Sequence, residues 1–440
     1  MFDAAPPRRA DCGMISRTLF STRRLACLAL ALAACAPATD REDAPVVREL
    51  ASPAGAPSGE PFLSTDAQGG VHLSWLERSG DSTFALRYAR LDGDTWSTPQ
   101  TIAERPDFFV NWADFPSVTP TTDGALVAHW LQRRPGGKYS YDVMLTRSSD
   151  AGRTWSPGQI LHGDGVAAEH GFVALWPTEA GGMAAAWLDG RATADADTAR
   201  RAMSVYTTTI AADGTLGTET RLDARTCDCC QVATTLTPRG PVVAYRDRTD
   251  QEVRDIAVVR QQGGQWTAPA IVHADNWQIA ACPVNGPALA SRGDTVVIAW
   301  FTGAQDTARV RVAYSTDAGA SFATPQRIDD GMPAGRVDVE MLADGSAAVS
   351  WLERTDSGGA EVRLRRVRPD GSAGAAVVLA QASGARASGF PRLALRGSEL
   401  LVAWTDTGAP ADSLRTANGG NSSAAPARVR INLFRLDALP

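Results

Sequence analysis

The sequence feature that most limits the fold is an internal repeat. A short run of apolar, strand-forming residues that ends in an aromatic side chain occurs seven times along the chain, as in Val71 to Trp75. The aromatic anchors of these runs are Trp75, Trp130, Trp187, Tyr245, Trp300, Trp351 and Trp404, and the intervals between them are 55, 57, 58, 55, 51 and 53 residues. A nearly constant interval indicates one supersecondary unit that is repeated and stacked.

Each repeat contains four short segments with alternating polarity, separated by turns rich in Gly and Asp, which predicts a four-stranded antiparallel sheet. One such sheet cannot bury both of its faces alone, so the units are expected to stack around a common axis. We therefore predict an all-β fold, a β-propeller with seven blades. The last repeat supplies only three strands, and Val46–Leu50 is expected to be the fourth and to close the ring. A row of β-sandwich domains is the alternative, but it would leave unequal linkers.

Residues 1–35 are predicted to be an export signal whose true start is Met14. Three arginines precede the apolar run from Leu25 to Leu32, as in a secretory signal peptide. The run ends in Leu-Ala-Ala-Cys35, which is similar to the lipobox of bacterial lipoproteins and implies lipidation of Cys35. The alternative is an ordinary signal peptide that is cut at the same small residues.

The rest of the chain divides into a tether at 36–57, which includes the closing strand, and the propeller at 58–440. No later run of 18 apolar residues occurs, so a lipid anchor is the only predicted attachment to a membrane. The net charge of −6 and the isoelectric point near 5.5 argue against a nucleic-acid-binding protein, which needs a basic face.

Two turns between predicted third and fourth strands carry a shared motif, namely Ser-Ser-Asp-Ala-Gly-Arg-Thr-Trp at 148–155 and Ser-Thr-Asp-Ala-Gly-Ala-Ser-Phe at 315–322. The Asp can close the turn on nearby N–H groups, the Gly can take a positive φ, and the aromatic ring can pack between sheets. This motif resembles the Asp-box, or BNR repeat, of the sialidase superfamily.

The resemblance implies glycoside hydrolysis of the exo-α-sialidase type, with arginines that bind a carboxylate and a tyrosine nucleophile paired with a glutamate. Classical sialidases have six blades, so six is the alternative to seven. Their Phe-Arg-Ile-Pro motif does not occur in this sequence, and the nearest string is Phe390-Pro-Arg392 in the last repeat.

The candidate site residues lie in the connections that emerge on one face of the propeller, at the mouth of its central channel. The catalytic candidates are Asp114, Glu169, His170, Tyr139 and Tyr141. The ligand-binding candidates are Arg191, Arg246, Arg248, Arg336, Arg392, Trp112 and Asn285. Arginines there suit capture of a carboxylate or sulfate, and paired carboxylates suit acid/base work on a glycosidic bond. The alternative for each charged residue is an ion pair that caps a strand end.

Four cysteines remain after the signal segment, namely Cys227, Cys229, Cys230 and Cys282. They lie in two successive connections between blades, which places them side by side. In an exported protein the first expectation is two disulfides, one joining Cys282 to the cluster and one within the cluster. A copper or zinc site and a catalytic thiol are the alternatives.

Three functions follow from these features. The first is hydrolysis of an acidic glycan by a sialidase-like enzyme without a cofactor. The second is a non-catalytic propeller that binds a glycan or an envelope protein, and the third is a metal-binding propeller that uses the cysteines. In each case the protein is expected to be a monomer, exported and lipid-anchored at the bacterial envelope, most simply at the outer membrane.

Overall fold

The computed structural model describes residues 46–135, 137–408 and 426–440. Within these ranges the strands form seven separate antiparallel sheets of four strands each, and in two sheets the outermost strand is split into two short pieces. The predicted seven-bladed β-propeller is therefore confirmed, and the six-bladed alternative is wrong. No helix in the described ranges has the length and apolar character needed to cross a membrane.

The blades follow one another along the chain, and each runs from an inner strand outward. Blade 1 contains Ser58–Thr65, Val71–Arg78, Phe84–Asp92, Thr95–Trp96 and Gln100–Arg105; blade 2 contains Ser117–Pro120, Leu126–Arg133, Tyr141–Ser148 and Gln159–Ile160; blade 3 contains His170–Pro177, Met183–Asp189, Met203–Ile210 and Thr220–Thr226. Blade 4 contains Ala233–Thr237, Gly240–Arg246, Ile256–Gln262, Gln265–Trp266 and Ala270–Ile271; blade 5 contains Ala288–Arg292, Thr295–Thr302, Arg309–Ser315 and Gln326–Arg327.

Blade 6 contains Pro333–Met341, Ala347–Arg354, Ala360–Val367 and Val377–Ala382; blade 7 contains Arg392–Arg396, Glu399–Asp406, Arg428–Arg435 and the N-terminal strand Val47–Leu50. Short 3-10 helices occupy Glu179–Gly181, Arg191–Ala194, Thr198–Arg200, Ala304–Asp306, Arg386–Ser388 and Leu436–Ala438.

The ring is closed by strands from opposite ends of the chain. Val47–Leu50 is the outer strand of blade 7 and pairs antiparallel with Arg428–Arg435, so that Val47 lies opposite Phe434. Blade 7 therefore exists as a complete sheet only when both segments are present.

The anchor aromatics fill the space between blades, and most of them are fully buried, as Trp187 and Trp351 are. Their tails in the sequence have a structural role. The Trp187 indole N–H donates to Asp189 Oδ2 at 2.8 Å, and the Trp351 indole N–H donates to Glu353 Oε2 at 2.5 Å. Because a buried indole N–H is usually paired with an acceptor, Asp189 and Glu353 are explained by the core rather than by a ligand.

Polar side chains on the inner strands link successive blades. Asp114 of blade 2 accepts a hydrogen bond from the Phe172 N–H of blade 3 at 2.7 Å, and Asp338 of blade 6 accepts one from the Leu393 N–H of blade 7 at 2.8 Å. The first of these bonds satisfies a backbone N–H where the inner strand of blade 3 bulges, at Phe172, which has a φ of 53°. Both bonds hold the blades at a fixed separation around the channel.

The two motif-bearing turns have the hydrogen bonds that their sequence predicts. Asp150 accepts hydrogen bonds from the Thr154 N–H at 2.9 Å and the Thr154 hydroxyl at 2.7 Å, and Asp317 accepts the equivalent pair from Ser321 at 2.9 and 2.6 Å. Gly152 has a φ of 84°, and a Cβ there would lie 2.4 Å from the ring of Tyr88 in blade 1. The turn thus also sets how closely blades 1 and 2 pack.

Candidate functional site

A cavity of about 140 Å³ lies on the propeller axis and is lined by inner-strand residues of every blade. Its charged lining residues are Asp114, Asp338 and Arg392, and its aromatic ones are Phe62, Phe115 and Phe172. A volume of this size holds one group about as large as benzene. The cavity can therefore accept a single ring or its acidic substituent.

Arg392 is the cationic group of this cavity. Its Nε lies 3.2 Å from Asp338 Oδ2, and its side chain is 22% exposed. The guanidinium carbon lies 4.9 Å from the centre of the Phe62 ring and 5.8 Å from that of Phe115. Within the described part of the chain the two Nη groups make no hydrogen bond. Arg392 is thus held by an ion pair with Asp338 and by two rings, while its terminal donors are available to a ligand.

The carboxyl groups around Arg392 have raised pKa values. Burial raises the pKa of Asp114 to about 8, although the hydrogen bond from Phe172 lowers it. Burial, with the nearby charge of Asp338, raises the pKa of Glu340 to about 8. Burial also raises the pKa of Asp338 above its ordinary value, against the effect of Arg392. Asp114 and Glu340 are therefore mostly protonated and neutral at pH 7, whereas Asp338 is the ion-pair partner of Arg392.

Two of the other candidate arginines are fully used by the fold. Arg246 is 1% exposed and donates to the backbone carbonyls of Asn285, Arg254 and Phe301 at 2.7 to 3.0 Å. Its sequence position beside the channel predicted a ligand contact. In the structure its guanidinium N–H groups instead bind backbone carbonyls at the junction of blades 4 and 5.

Arg336 is 6% exposed and donates to the Ser388 hydroxyl and to the carbonyls of Gly389 and Ala385. Burial lowers its pKa to about 10 because no carboxylate compensates the desolvation. The guanidinium also lies 4.9 Å from the ring of Trp112. Arg336 thus joins blades 6 and 7 rather than facing a ligand.

Arg191 and Arg248 are held by carboxylates. Arg191 contacts Asp189, Asp164 and Glu219 at 2.6 to 3.1 Å. Arg248 contacts Asp228 at 3.0 Å and Glu252 at 2.7 Å. For these two residues the structure therefore confirms the alternative interpretation, an ion pair within the fold rather than a ligand contact.

Trp112 and Asn285 are also part of the scaffold. Trp112 stacks on Phe390 with the ring centres 5.9 Å apart. The Asn285 side chain accepts a hydrogen bond from the Arg336 N–H at 2.7 Å and donates to the carbonyl of Ala334 at 3.3 Å. It is therefore another link between blades.

Three of the catalytic candidates come together beside the cavity. Asp114 interacts with the side chain of Tyr141, and Glu169 contributes to the raised pKa of both. Burial, with the charge of Asp228, raises the pKa of Glu169 itself to about 7. Tyr141 is 2% exposed and stacks on Phe109 with the centres 4.0 Å apart. Only Asp114 of this set lines the cavity.

Tyr139 lies away from this cluster and is 54% exposed. Its ring packs edge-on against Phe109, with the centres 6.4 Å apart. It does not line the central cavity.

His170 belongs to a buried network that the sequence analysis did not predict. Its ring stacks on His162 with the centres 3.6 Å apart, and its Nε2 lies 2.8 Å from Asp164 Oδ2. Burial lowers the pKa of His170, but the hydrogen bond to Asp164 and the charges of Asp189 and Asp164 raise it overall. Because Arg191 contacts the same two aspartates, the cluster already contains its own cation. Asp164, six residues before His170 in the sequence, was the residue that could have indicated a partner for the His170 ring.

The four cysteines converge as expected, but the predicted disulfides are not formed. All four are thiols in the structure. The Cys227 Sγ lies 3.2 Å from that of Cys230 and 3.9 Å from that of Cys229, both well beyond the S–S bond length of about 2.05 Å. Cys35, the predicted lipidation site, lies outside the described residues.

No family model matches the sequence, and no curated protein matches it. Among solved structures, a protein of unknown function from Dyadobacter fermentans is 14% identical, with a TM-score of 0.49, covering 89% of this chain and 100% of the other. A mutant of NanB sialidase from Streptococcus pneumoniae is 10% identical, with a TM-score of 0.46 and coverages of 90% and 93%. The GH93 α-L-arabinofuranosidase of Fusarium graminearum is 13% identical, with a TM-score of 0.44 and coverages of 87% and 94%.

Proposed function

We propose that this propeller binds an acidic sugar of a glycan in its central cavity, through the guanidinium of Arg392. The observation that carries the proposal is that, among the five candidate arginines, Arg392 is the one with both terminal Nη groups without a hydrogen-bond partner in the described residues. A guanidinium with two free N–H groups fits a carboxylate or sulfate in a bidentate manner. The aromatic rings of Phe62 and Phe115 supply the apolar walls that sugar rings pack against.

Isothermal titration with N-acetylneuraminate, glucuronate and the neutral sugar galactose tests this proposal. Binding of an acidic sugar, with no binding of galactose, is the expected result. Arg392→Ala should weaken binding by on the order of 10-fold or more, which is the loss of about 1.4 kcal/mol or more of a charge-assisted contact. Arg239→Ala is the matched control, because Arg239 pairs with Asp294 at 2.6 Å in the turn at the opposite end of blade 4. Equal binding of galactose, or undiminished binding by the Arg392 variant, would overturn the proposal.

Hydrolysis of the bound glycan is a second candidate function, and one observation favours it. Asp114 lines the cavity and has a pKa of about 8, so at neutral pH it carries a proton that a glycosidic oxygen can accept. Glu169, with a pKa of about 7, is the second carboxyl group of the set, and Tyr141 contacts Asp114. In this reading Asp114 is the general acid.

A panel of fluorogenic glycosides that includes a sialoside separates binding from turnover. Turnover that Asp114→Asn abolishes while acidic-sugar binding persists would support the hydrolase. An absence of turnover across the panel would leave the non-catalytic binding protein, and turnover retained by the Asp114 variant would remove Asp114 from the mechanism.

We further propose that the protein is exported and carries a lipid on Cys35, which tethers the propeller to the bacterial envelope. The support is the basic, apolar and Leu-Ala-Ala-Cys order of the first 35 residues. Metabolic labelling with a palmitate analogue should label the protein, and Cys35→Ser should abolish the label. A labelled Cys35 variant would contradict the assignment.

A further inference from the structure

Three of the four cysteines of the described chain form a sulfur cluster beside blade 4, and the fourth, Cys282, lies next to it. Cys227 and Cys230 are buried, Cys229 is partly buried, and Cys282 is exposed. The Sγ atoms of Cys227, Cys229 and Cys230 all lie within 4.8 Å of one another. The thiol of Cys282 lies outside this close group but interacts with that of Cys229, so the second segment brings a fourth sulfur next to the cluster.

The spacing of these sulfurs suits one metal ion. Four thiolates at about 2.3 Å from a tetrahedral Zn²⁺ lie about 3.8 Å from one another. The observed separations of 3.2 Å between Cys227 and Cys230 and 3.9 Å between Cys227 and Cys229 bracket that value. The sulfurs therefore need only small shifts to share an ion.

The backbone holds the two cysteine-bearing segments together. The Gly286 N–H donates to Gln231 Oε1 at 2.9 Å, and a Cβ on Gly286 would lie 2.2 Å from the Gln231 carbonyl. Gln231 directly follows Cys230, and Gly286 stands four residues after Cys282. The Cys227 N–H is in turn bonded to the Arg246 carbonyl at 2.9 Å. The cluster is thus arranged by the fold before any ion binds.

The charged groups around the cluster favour ionised sulfur. Arg254 is 3% exposed, and its Nη1 donates to Cys227 Sγ at 3.2 Å. A buried guanidinium directed at a sulfur stabilises the thiolate, which is the form that binds metals. The carboxylate of the neighbouring Asp228 is paired with Arg248. Sulfur atoms are therefore the groups at this site that are available to bind a metal ion.

We propose that the clustered thiolates of Cys227, Cys229 and Cys230 bind one thiophilic d¹⁰ metal ion, either Cu⁺ by themselves or Zn²⁺ with Cys282 as the fourth ligand. Sulfur ligands select these ions, and the two differ in how many thiolates they require. Zn²⁺ takes four ligands in a closed tetrahedral site, whereas Cu⁺ is held by the three clustered thiolates of Cys227, Cys229 and Cys230. This site is separate from the central cavity and does not depend on the glycan proposal.

The test uses the purified full-length protein after reduction and removal of metals. Zn²⁺ and Cu⁺ are titrated separately in competition with a chromophoric chelator, and Co²⁺ is used as a spectroscopic probe for thiolate coordination. We expect one equivalent of ion per chain and a thiolate-to-cobalt charge-transfer band. Cys282→Ser should weaken Zn²⁺ binding by on the order of 100-fold if Zn²⁺ is the ion, and should leave Cu⁺ binding unchanged if Cu⁺ is the ion.

Two further variants keep the result interpretable. Cys229→Ser should lose either ion, and because Cys229 is only partly buried it is the milder substitution for the fold, which circular dichroism checks. Asp228→Asn, which changes the neighbouring oxygen donor, should retain the ion. Peptide mapping without reduction that finds Cys282 in a disulfide, less than stoichiometric uptake, or uptake unchanged in the Cys229 variant would each overturn the proposal.

Discussion

Arg246 and Arg392 stand at comparable positions in the sequence pattern, yet the structure gives them opposite roles, and their substitution by methionine separates these roles. Arg246→Met removes the donors to the carbonyls of Asn285, Arg254 and Phe301, at a site that is 1% exposed. Each buried carbonyl left without a partner costs about 1–3 kcal/mol. Allowing for water that enters beside the shorter side chain, we expect a loss of about 4 kcal/mol in the free energy of unfolding.

In a chain of this length, with roughly 2 cal/mol/K of unfolding entropy per residue, that loss lowers Tm by about 5 °C. Arg392→Met should lower Tm by only about 1 °C, because Arg392 makes a single polar contact, with Asp338, which can take up a proton instead. Thermal unfolding followed by circular dichroism measures both variants. If the two variants melt together, or if Arg246→Met melts with the unchanged protein, the division between structural and ligand-binding arginines is refuted.

Two further predictions concern the core. His170 lies in a cluster with Asp164, Asp189, Asp142, His162 and Arg191, and its pKa is raised. Protonated His170 therefore stabilises the folded state, and this contribution is fully present below the ordinary pKa of 6.5. This contribution is lost as the pH rises through the folded-state pKa, so the Tm difference between the protein and His170→Gln should shrink above pH 6.5, and a pH-independent difference would contradict it. Trp351→Phe should lower the free energy of unfolding in urea by about 1–3 kcal/mol more than Trp404→Phe does. The reason is that the Trp351 indole donates to the buried Glu353, whereas the Trp404 indole has no partner among the described residues. Equal losses for the two variants would show that the indole–carboxylate bond contributes nothing.

The blade count could be predicted from sequence because it depends on a local, repeated pattern. Each anchor aromatic lies in a strand whose apolar pattern can be read from the adjacent residues. The number of anchors from Trp75 to Trp404 therefore gives the number of blades. The turn at 148–155 was predictable for the same reason, since its Ser, Asp, Gly and Thr bond within the turn.

The roles of the site residues depend on contacts between blades, which no local pattern encodes. The partners of Arg246 include the carbonyls of Asn285 and Phe301 in or next to blade 5, and nothing near Arg246 in the sequence indicates where those carbonyls point. The stacked pair of His162 and His170 lies in an irregular connection with no periodicity. The order of the blades predicted that Cys282 lies near the other cysteines. It did not predict whether the four cysteines are thiols or disulfides.

The pairing of Val47–Leu50 with Arg428–Arg435 has a consequence for biosynthesis. The strand Val47–Leu50 cannot pair until Arg428–Arg435, which lies near the other end of the described chain, is in place beside it. During that interval it has no partner of its own, and the last strand, once made, offers an open edge to any strand that arrives first. Two copies translated close together can therefore exchange their N-terminal strands and complete each other's seventh blade. The seam that closes the ring is thus the point at which chains that fold close together would form swapped dimers.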